Sequence, residues 1–371
     1  MRQLALAVMI AGCGFSARNT ENNSDARMPA DAAADASDAG GGSGSGSGSG
    51  TARRAEKLTF QNSTRATALQ SFTVMVMLDA TRIDYAACPG GANLRFTDPD
   101  NTQLEYEIER WDATGTSIVW VRVPQIDASS NTDFITMHWG DPALTDAQSP
   151  AQTWDHAALV YHLAEDPTAG TVDSTGQHAG SATVQMSSAD LVRGKIGQGV
   201  RFDGLGGGIH ASSTGLARYT WMMWLRADTA PVSGFNHQPI TDGDSNFNFA
   251  WDHVMPTYVG ALAMKDATMW HAAQGSGYQA ATWYHLVGTY DGTNLCLRVD
   301  TAQKVCVAAG SPATPGPLFQ LGDATSTTTT FAGVLDEVRV YDLARGDAWI
   351  DAEQASQTDA LITYGAPVAD P

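Results

Sequence analysis

The sequence predicts an all-β protein, and three observations carry that prediction. Of the 40 acidic residues, 32 are Asp and 8 are Glu, and Asp settles in turns and caps where Glu favours helix interiors. Thirty-seven glycines are available for tight turns. The apolar residues fall in short continuous or alternating runs bounded by turn formers, which is the pattern of antiparallel strands. At 43% apolar and 16% charged residues, the chain can bury sizeable cores. A formal charge of −19 repels phosphate backbones and anionic headgroups, so a nucleic-acid binder is set aside. No apolar run approaches the roughly 20 residues of a membrane-spanning helix.

The elements follow in chain order. Met1-Arg2, the apolar stretch Leu4 to Ile10 and the small residues before Cys13 have the layout of a secretory signal over 1–12. The tetrapeptide Ile10-Ala11-Gly12-Cys13 resembles a bacterial lipobox. That resemblance implies a diacylated Cys13 as mature N-terminus, and Gly14 after it implies sorting to the outer membrane. From 13 to 51 the chain is rich in Asn, Ser, Asp, Ala and Gly and ends in Ser-Gly repeats. Such a segment cannot bury enough apolar surface to offset its ordering entropy. It is expected to act as a tether with a reach of roughly 30 Å, so that contact with the membrane is through the lipid alone.

Residues 52–150 are expected to form an antiparallel β-sandwich. Its strands are read at Lys57 to Asn62, Phe72 to Leu78, Asn93 to Thr97, Leu104 to Trp111, Ser117 to Val123 and Phe134 to Trp139. The β-branched and aromatic run Ile118 to Val123 favours a strand, which Pro124 is expected to end. Asp98-Pro99-Asp100-Asn101 and Gly140-Asp141-Pro142 read as turns. The segments Leu94 to Asp98, Tyr106 to Glu109, Val119 to Pro124 and Met137 to Pro142 together resemble an uncharacterised bacterial family, domain of unknown function 2341. The resemblance implies an extracytoplasmic module of bacterial surface proteins. Where many members carry a second cysteine this chain has Trp111-Asp112, which implies that Cys88 lacks a partner.

Residues 152–368 continue in short strands over a length suited to one large jelly roll. The landmarks are Leu159 to Leu163, Asp173 to Gly176, Gly194 to Gly197, Phe202 to Gly204, Thr220 to Leu225, Trp283 to Val287 and Phe331 to Tyr341. In that order they resemble the laminin-G-like, concanavalin A-like fold. The resemblance implies two curved antiparallel sheets packed face to face, with a short helix near 348–355.

Cys296 and Cys306 are equidistant from a turn centred near Thr301, so a cross-strand disulfide is geometrically plausible in an exported protein, against two buried thiols. Laminin-G-like domains often hold calcium, which implies Asp173 and Asp336 as candidate ligands; a turn cap and strand hydrogen bonds are the competing roles. Asp242 to Asn246 opens like an EF-hand loop but has Phe247 where glycine is needed. No zinc motif is present. Glycosidases of this fold carry alternating carboxylates on one strand. The nearest match, Glu105, Glu107 and Glu109, lies in the first region and reads as a solvated strand face. Arg345-Gly346-Asp347 reads as a helix start.

In the run Asn246 to His253, Phe247, Phe249 and Trp251 alternate with Asn246, Asn248 and Asp252. The aromatic row is expected to face the core and the polar row an exposed sheet surface, where amides and carboxylates can meet sugar hydroxyls. Trp270, in a stretch that also holds His237, His253, His271 and Tyr278, is the aromatic candidate for the same site. The expected function is a non-enzymatic, lipid-anchored surface module binding glycans or surface proteins through the jelly roll. A polysaccharide-degrading enzyme and a structural spacer are the alternatives.

Overall fold

The computed structural model describes residues 53–232, 237–243, 247–253, 258–301, 303–323 and 330–370. Cys13 and Asn246 lie outside the described residues. The described residues form one compact unit, and their strands make four sheets.

Two of these sheets are the jelly roll. A seven-stranded sheet runs Trp270–Gln274, Tyr258–Lys265, Phe247–His253, Ile240–Asp242, Leu318–Leu321, Ile209–Ser212, Ser181–Ala182. An eight-stranded sheet runs Gln303–Ala308, Asn294–Val299, Trp283–Tyr290, Tyr219–Ala227, Ala332–Tyr341, Gln198–Asp203, Leu191–Arg193. Ala157–Tyr161 also pairs with Ala332–Tyr341. Between the sheets lies a core that includes Phe202, Trp221, Phe247, Phe249, Trp251, Phe319 and Leu335. The expected alternation holds: Phe247, Phe249 and Trp251 enter this core from one strand. Cys296 and Cys306 face each other across the ladder and are disulfide-bonded, with Cα atoms 4.1 Å apart. Cys88 is free and buried, and burial pushes its thiol up to about 11.

The first region is a second sandwich. One layer pairs Arg54–Phe60 with Phe134–Trp139, and the latter with Arg95–Thr97; the other is Leu69–Leu78, Ser117–Ile126, Tyr106–Arg110. The strand through Pro124 does not end there. Its ladder keeps register from Phe72↔Val123 to Gln70↔Gln125 and skips only Ser71 and Pro124 opposite each other, so the residue without an N–H falls where the strands do not pair.

The C-terminal tail, read by sequence as part of the jelly roll, completes this first sandwich instead. Ile362–Tyr364 and Val368–Ala369 pair with Arg54–Phe60. The helix Asp347–Gln357 places Trp349, Ile350 and Ala352 in a core with Phe72, Val74, Phe96 and Tyr106. Physically, the tail strands cover an edge that would otherwise expose unpaired backbone groups. Arg345-Gly346-Asp347 does open the helix, with the Arg345 guanidinium 4.4 Å from the Trp349 ring and Asp347 paired with Lys304 at 2.8 Å.

The two sandwiches also share a face. Met75, Ile118 and Trp120 of the three-stranded sheet pack on Trp154, Val160, Ile196 and Trp224. Ser117–Ile126 is therefore covered on both faces, which is why its sequence is a nearly continuous apolar run.

Candidate functional site

The side of the seven-stranded sheet away from the core carries a polar row in register. His210 pairs with Gln320, Gln320 with Thr241, Thr241 with Asn248, and Asn248 with Ala263. Directly paired residues share a face, so four polar side chains from four strands line up across the sheet. They are linked: Asp323 Oδ1 lies 2.7 Å from His210 Nε2, Gln320 Nε2 lies 3.4 Å from that same nitrogen, and Thr241 Oγ1 donates to Gln320 Oε1 at 3.5 Å. The hydrogen bond to Asp323 raises the His210 pKa above its ordinary value, against partial burial.

Asn248 and Asp252 share this outer face, as the alternation requires, but neither is exposed. Asn248 and Asp252 are each 1% exposed, Thr241 0% and Gln320 2%. Asp252 is occupied, its carboxylate accepting from the His237 backbone N–H and facing His237 Nδ1, both at 2.9 Å. The open wet surface expected from sequence is thus a desolvated polar string. Its accessible parts lie at two ends: His210, Ser212 and Leu318 at one, Lys265, half-buried Trp270 and Gln274 at the other. The other aromatic candidates are core residues. Trp251 packs 5.0 Å from Tyr278, and His271 sits on the core side, 2.7 Å from Asp266.

The acidic strand of the first region differs most from its sequence reading. Glu105 takes a hydrogen bond from Ser149, but Glu107 and Glu109 are not solvated; their side chains are 10% and 1% exposed. Glu107 accepts from Trp154 Nε1 at 2.5 Å and Ser174 Oγ at 2.7 Å, and lies 3.4 Å from His162 Nε2. The other imidazole nitrogen lies 3.0 Å from Glu337 and 3.5 Å from Glu109. Trp120 Nε1 donates to Glu109 at 2.8 Å, and Arg339 bonds both Glu337 and Glu353 while lying 4.1 Å over the Trp120 ring. Burial alone would lower the His162 pKa; Glu337, Glu107 and Glu109 outweigh it and hold it well above the ordinary value. Burial, then the Glu337 charge, pushes Glu109 up.

Sequence reasoning missed this cluster because alternate acids on a strand look the same whether water or a second sheet covers them. A β-bulge also intervenes. Glu337 has φ 52°, and the ladder to Tyr219–Ala227 shifts register there, so that Asp336, Glu337 and Arg339 all leave the jelly-roll core while Leu335, Val338 and Val340 enter it. Glu109, His162 and Glu337 bring three potential metal-ligand atoms within 4.8 Å, although Trp120 and Arg339 already donate to the carboxylates.

Asp173 and Asp336 do not fit a shared calcium ion. Asp173 accepts from the backbone N–H groups of Val160, Thr175, Gln177 and His178 and from Thr175 Oγ1, which fills its lone pairs with donors. Asp336 instead accepts from the Ile196 N–H at 2.7 Å, and burial, then the Glu337 charge, raises its pKa well above the usual carboxylate range. A carboxylate whose lone pairs are taken up by the donors of its own turn is a poor ligand for a hard cation.

Comparison with known proteins agrees with this architecture. Residues 203–351 match the family described as concanavalin A-like lectin/glucanases superfamily, and residues 90–175 match "Domain of unknown function (DUF2341)". The second match takes in Glu107, Glu109, Trp120, Trp154, His162 and Ser174; the first takes in Asp336, Glu337 and Arg339. No curated protein sequence matches the chain. Among solved structures, domain 4 of AbnA, a GH43 extracellular arabinanase from Geobacillus stearothermophilus in complex with arabinotriose, is 18% identical over 53% of this chain and 96% of that one, with a TM-score of 0.41. The binding domain of Paraclostridial Mosquitocidal Protein 1 is 11% identical over 54% and 52%, TM-score 0.44. Trypanosoma rangeli sialidase in complex with sialic acid is 13% identical over 72% and 44%, TM-score 0.40.

Proposed function

We propose that the protein is a non-enzymatic surface module that binds glycans on the outer face of its seven-stranded sheet. The observation that carries the reading is the pair of accessible edges, His210 and Ser212 at one and Lys265, Trp270 and Gln274 at the other, held on one face by the buried in-register string Gln320, Thr241 and Asn248. At those edges the His210 imidazole, Ser212 hydroxyl and Gln274 amide offer donors and acceptors to sugar hydroxyls, and Trp270 supplies a ring face for C–H surfaces. The buried carboxylates of the first region support the non-enzymatic part, since Glu107 and Glu109 are sealed from a polymeric substrate. The test is a glycan array on the chain from residue 52 onward, with His210→Ala and Trp270→Ala beside it. Binding lost in these variants supports the reading; reducing ends released from a polysaccharide, or binding indifferent to both substitutions, overturns it.

The lipobox-like Ile10 to Cys13 supports anchoring at the outer membrane through a lipid on Cys13. Cys13→Ser is expected to release the protein from membranes, and mass spectrometry that finds an unmodified mature N-terminus elsewhere would refute it. Among the described residues no helix is long and apolar enough to cross a membrane.

A further inference from the structure

We infer that the cleft between the first sandwich and the jelly roll is an anion-binding site, and that its ligand is an acidic polysaccharide. The cleft, about 630 Å³, is lined on one side by Met77, Arg110, Thr116 and Ile118 and on the other by the hairpin from Arg193 to Gln198. That volume falls in the range of ligand sites, roughly 300–1,000 Å³.

Charge is the first argument. The chain has 21 basic residues against 40 acidic ones, yet Arg110, Arg193 and Lys195 converge on this cleft and no Asp or Glu lines it. A concave surface of one sign focuses field lines and attracts the opposite charge. The carboxyls beneath do not cancel this field in full, because burial first and the Glu337 charge second raise the pKa of both Glu109 and Asp336, while Glu337 itself is paired with His162 and Arg339.

Rigidity is the second argument. Arg193 pairs with Gln198, closing a four-residue tip, Gly194 to Gly197. Asp336 beneath accepts the Ile196 N–H, the Ile196 side chain is buried in the shared core, and the Lys195 ammonium rests 4.7 Å from the Trp224 ring. Glycine is required at both ends of the tip. A Cβ at Gly194 would lie 2.5 Å from Asp336 Oδ2, and Gly197, at φ 54°, lies against Ile118 and Glu109. On the opposite wall Arg110 is steadied by Asp112 at 2.6 Å, leaving further N–H donors on its guanidinium. Cations held in place before binding lose little entropy on meeting an anion. The carboxylate or sulfate oxygens of a saccharide offer the charge, and its hydroxyls suit Thr116 and Gln198.

This site is distinct from the face proposed above, since Leu191–Arg193 and Gln198–Asp203 belong to the eight-stranded sheet. The experiment is calorimetric titration of the chain from residue 52 onward with polygalacturonate, heparin and a neutral glucan, at low and high salt. Polygalacturonate carries carboxylates alone and heparin carries both carboxylates and sulfates, so binding of heparin without polygalacturonate assigns the recognition to sulfate. Salt-sensitive binding of one or both acidic polymers and none of the glucan is expected. The double variant Arg193→Ala, Lys195→Ala is expected to weaken it about tenfold or more, with partial rescue by Arg193→Lys. Arg218→Ala, an exposed arginine outside the cleft, and Trp270→Ala are expected to leave it unchanged. Failure to bind either acidic polymer, or an equal loss in Arg218→Ala, overturns the inference; loss in Trp270→Ala alone would place the ligand on the sheet face instead.

Discussion

The two outer faces of the jelly roll bury polar groups in opposite ways. On the eight-stranded sheet, Asp336, Glu337 and Arg339 are covered by the first sandwich and the C-terminal helix, and their partners Glu107, Glu109, His162 and Glu353 come from three separate segments. On the seven-stranded sheet, Gln320, Thr241 and Asn248 are neutral and line up along the sheet itself. Burying a charge is tolerable only with an opposite charge and hydrogen bonds in place, so the charged face depends on elements far away in the chain. A neutral row can be satisfied by its neighbours and leaves its ends open for a ligand. One face thus holds the molecule together, while the other carries the proposed glycan site at its edges.

The comparison is broken most severely by removing what covers the charged face. A chain ending at residue 346 is expected to lose cooperative unfolding in circular dichroism, because both the helix and the tail strands are part of the first sandwich; Trp349→Ala alone should cost about 3–5 kcal/mol. If the truncated chain melts as the full one does, the tail is not integral. Next in size is Arg339→Met, which leaves Glu337 and Glu353 without their shared cation and is expected to cost about 3–5 kcal/mol in urea unfolding. A neutral result would mean that the network adds nothing beyond its packing.

Loss of the Cys296–Cys306 bridge, on the edge strand pair of the eight-stranded sheet, should cost about 2–3 kcal/mol by the chain-entropy argument for a short loop. Thermal melts of the double Cys→Ser variant, compared with reduced wild type, check this. The pH dependence is smaller per unit but specific to the charged face. Glu109 is raised from 4.5 to about 8 by burial first and Glu337 second, and His162 is held above 6.5. Both folded values exceed the unfolded ones, so the stability they lend is complete below the unfolded pKa and is lost as pH rises through the folded pKa. Stability should therefore fall by up to about 1.4 kcal/mol per pH unit for each group, between about pH 4.5 and 8 for Glu109 and from about pH 6.5 upward for His162. Glu109→Gln should flatten that limb, and an unchanged slope would assign the titration elsewhere. The smallest effect belongs to the other face: Gln320→Ala should cost only about 1 kcal/mol in the same unfolding assay, while reducing glycan binding. A loss as large as that of Arg339→Met would erase the distinction between the two faces.

By itself the sequence determined what depends on neighbours along the chain. Turn formers and alternation placed the strands of both sandwiches, the spacing about Thr301 brought Cys296 and Cys306 together, and the Phe247, Phe249, Trp251 row pointed to the core. It also put Asn248 and Asp252 on one face of one strand, since side-chain direction in a strand is set by parity alone. Only the tertiary structure decided what covers each face. Parity cannot say whether the side of a strand opposite the core meets water or another sheet, so Glu107 and Glu109 read as solvated until His162 and Glu337 are seen beside them. Nor could it place a tail whose strands pair with residues some three hundred positions earlier, or a bulge at Glu337 that turns two consecutive acids to the same side. Those outcomes come from long-range pairing and from the cost of leaving a charge or a sheet edge uncovered, which no local pattern records.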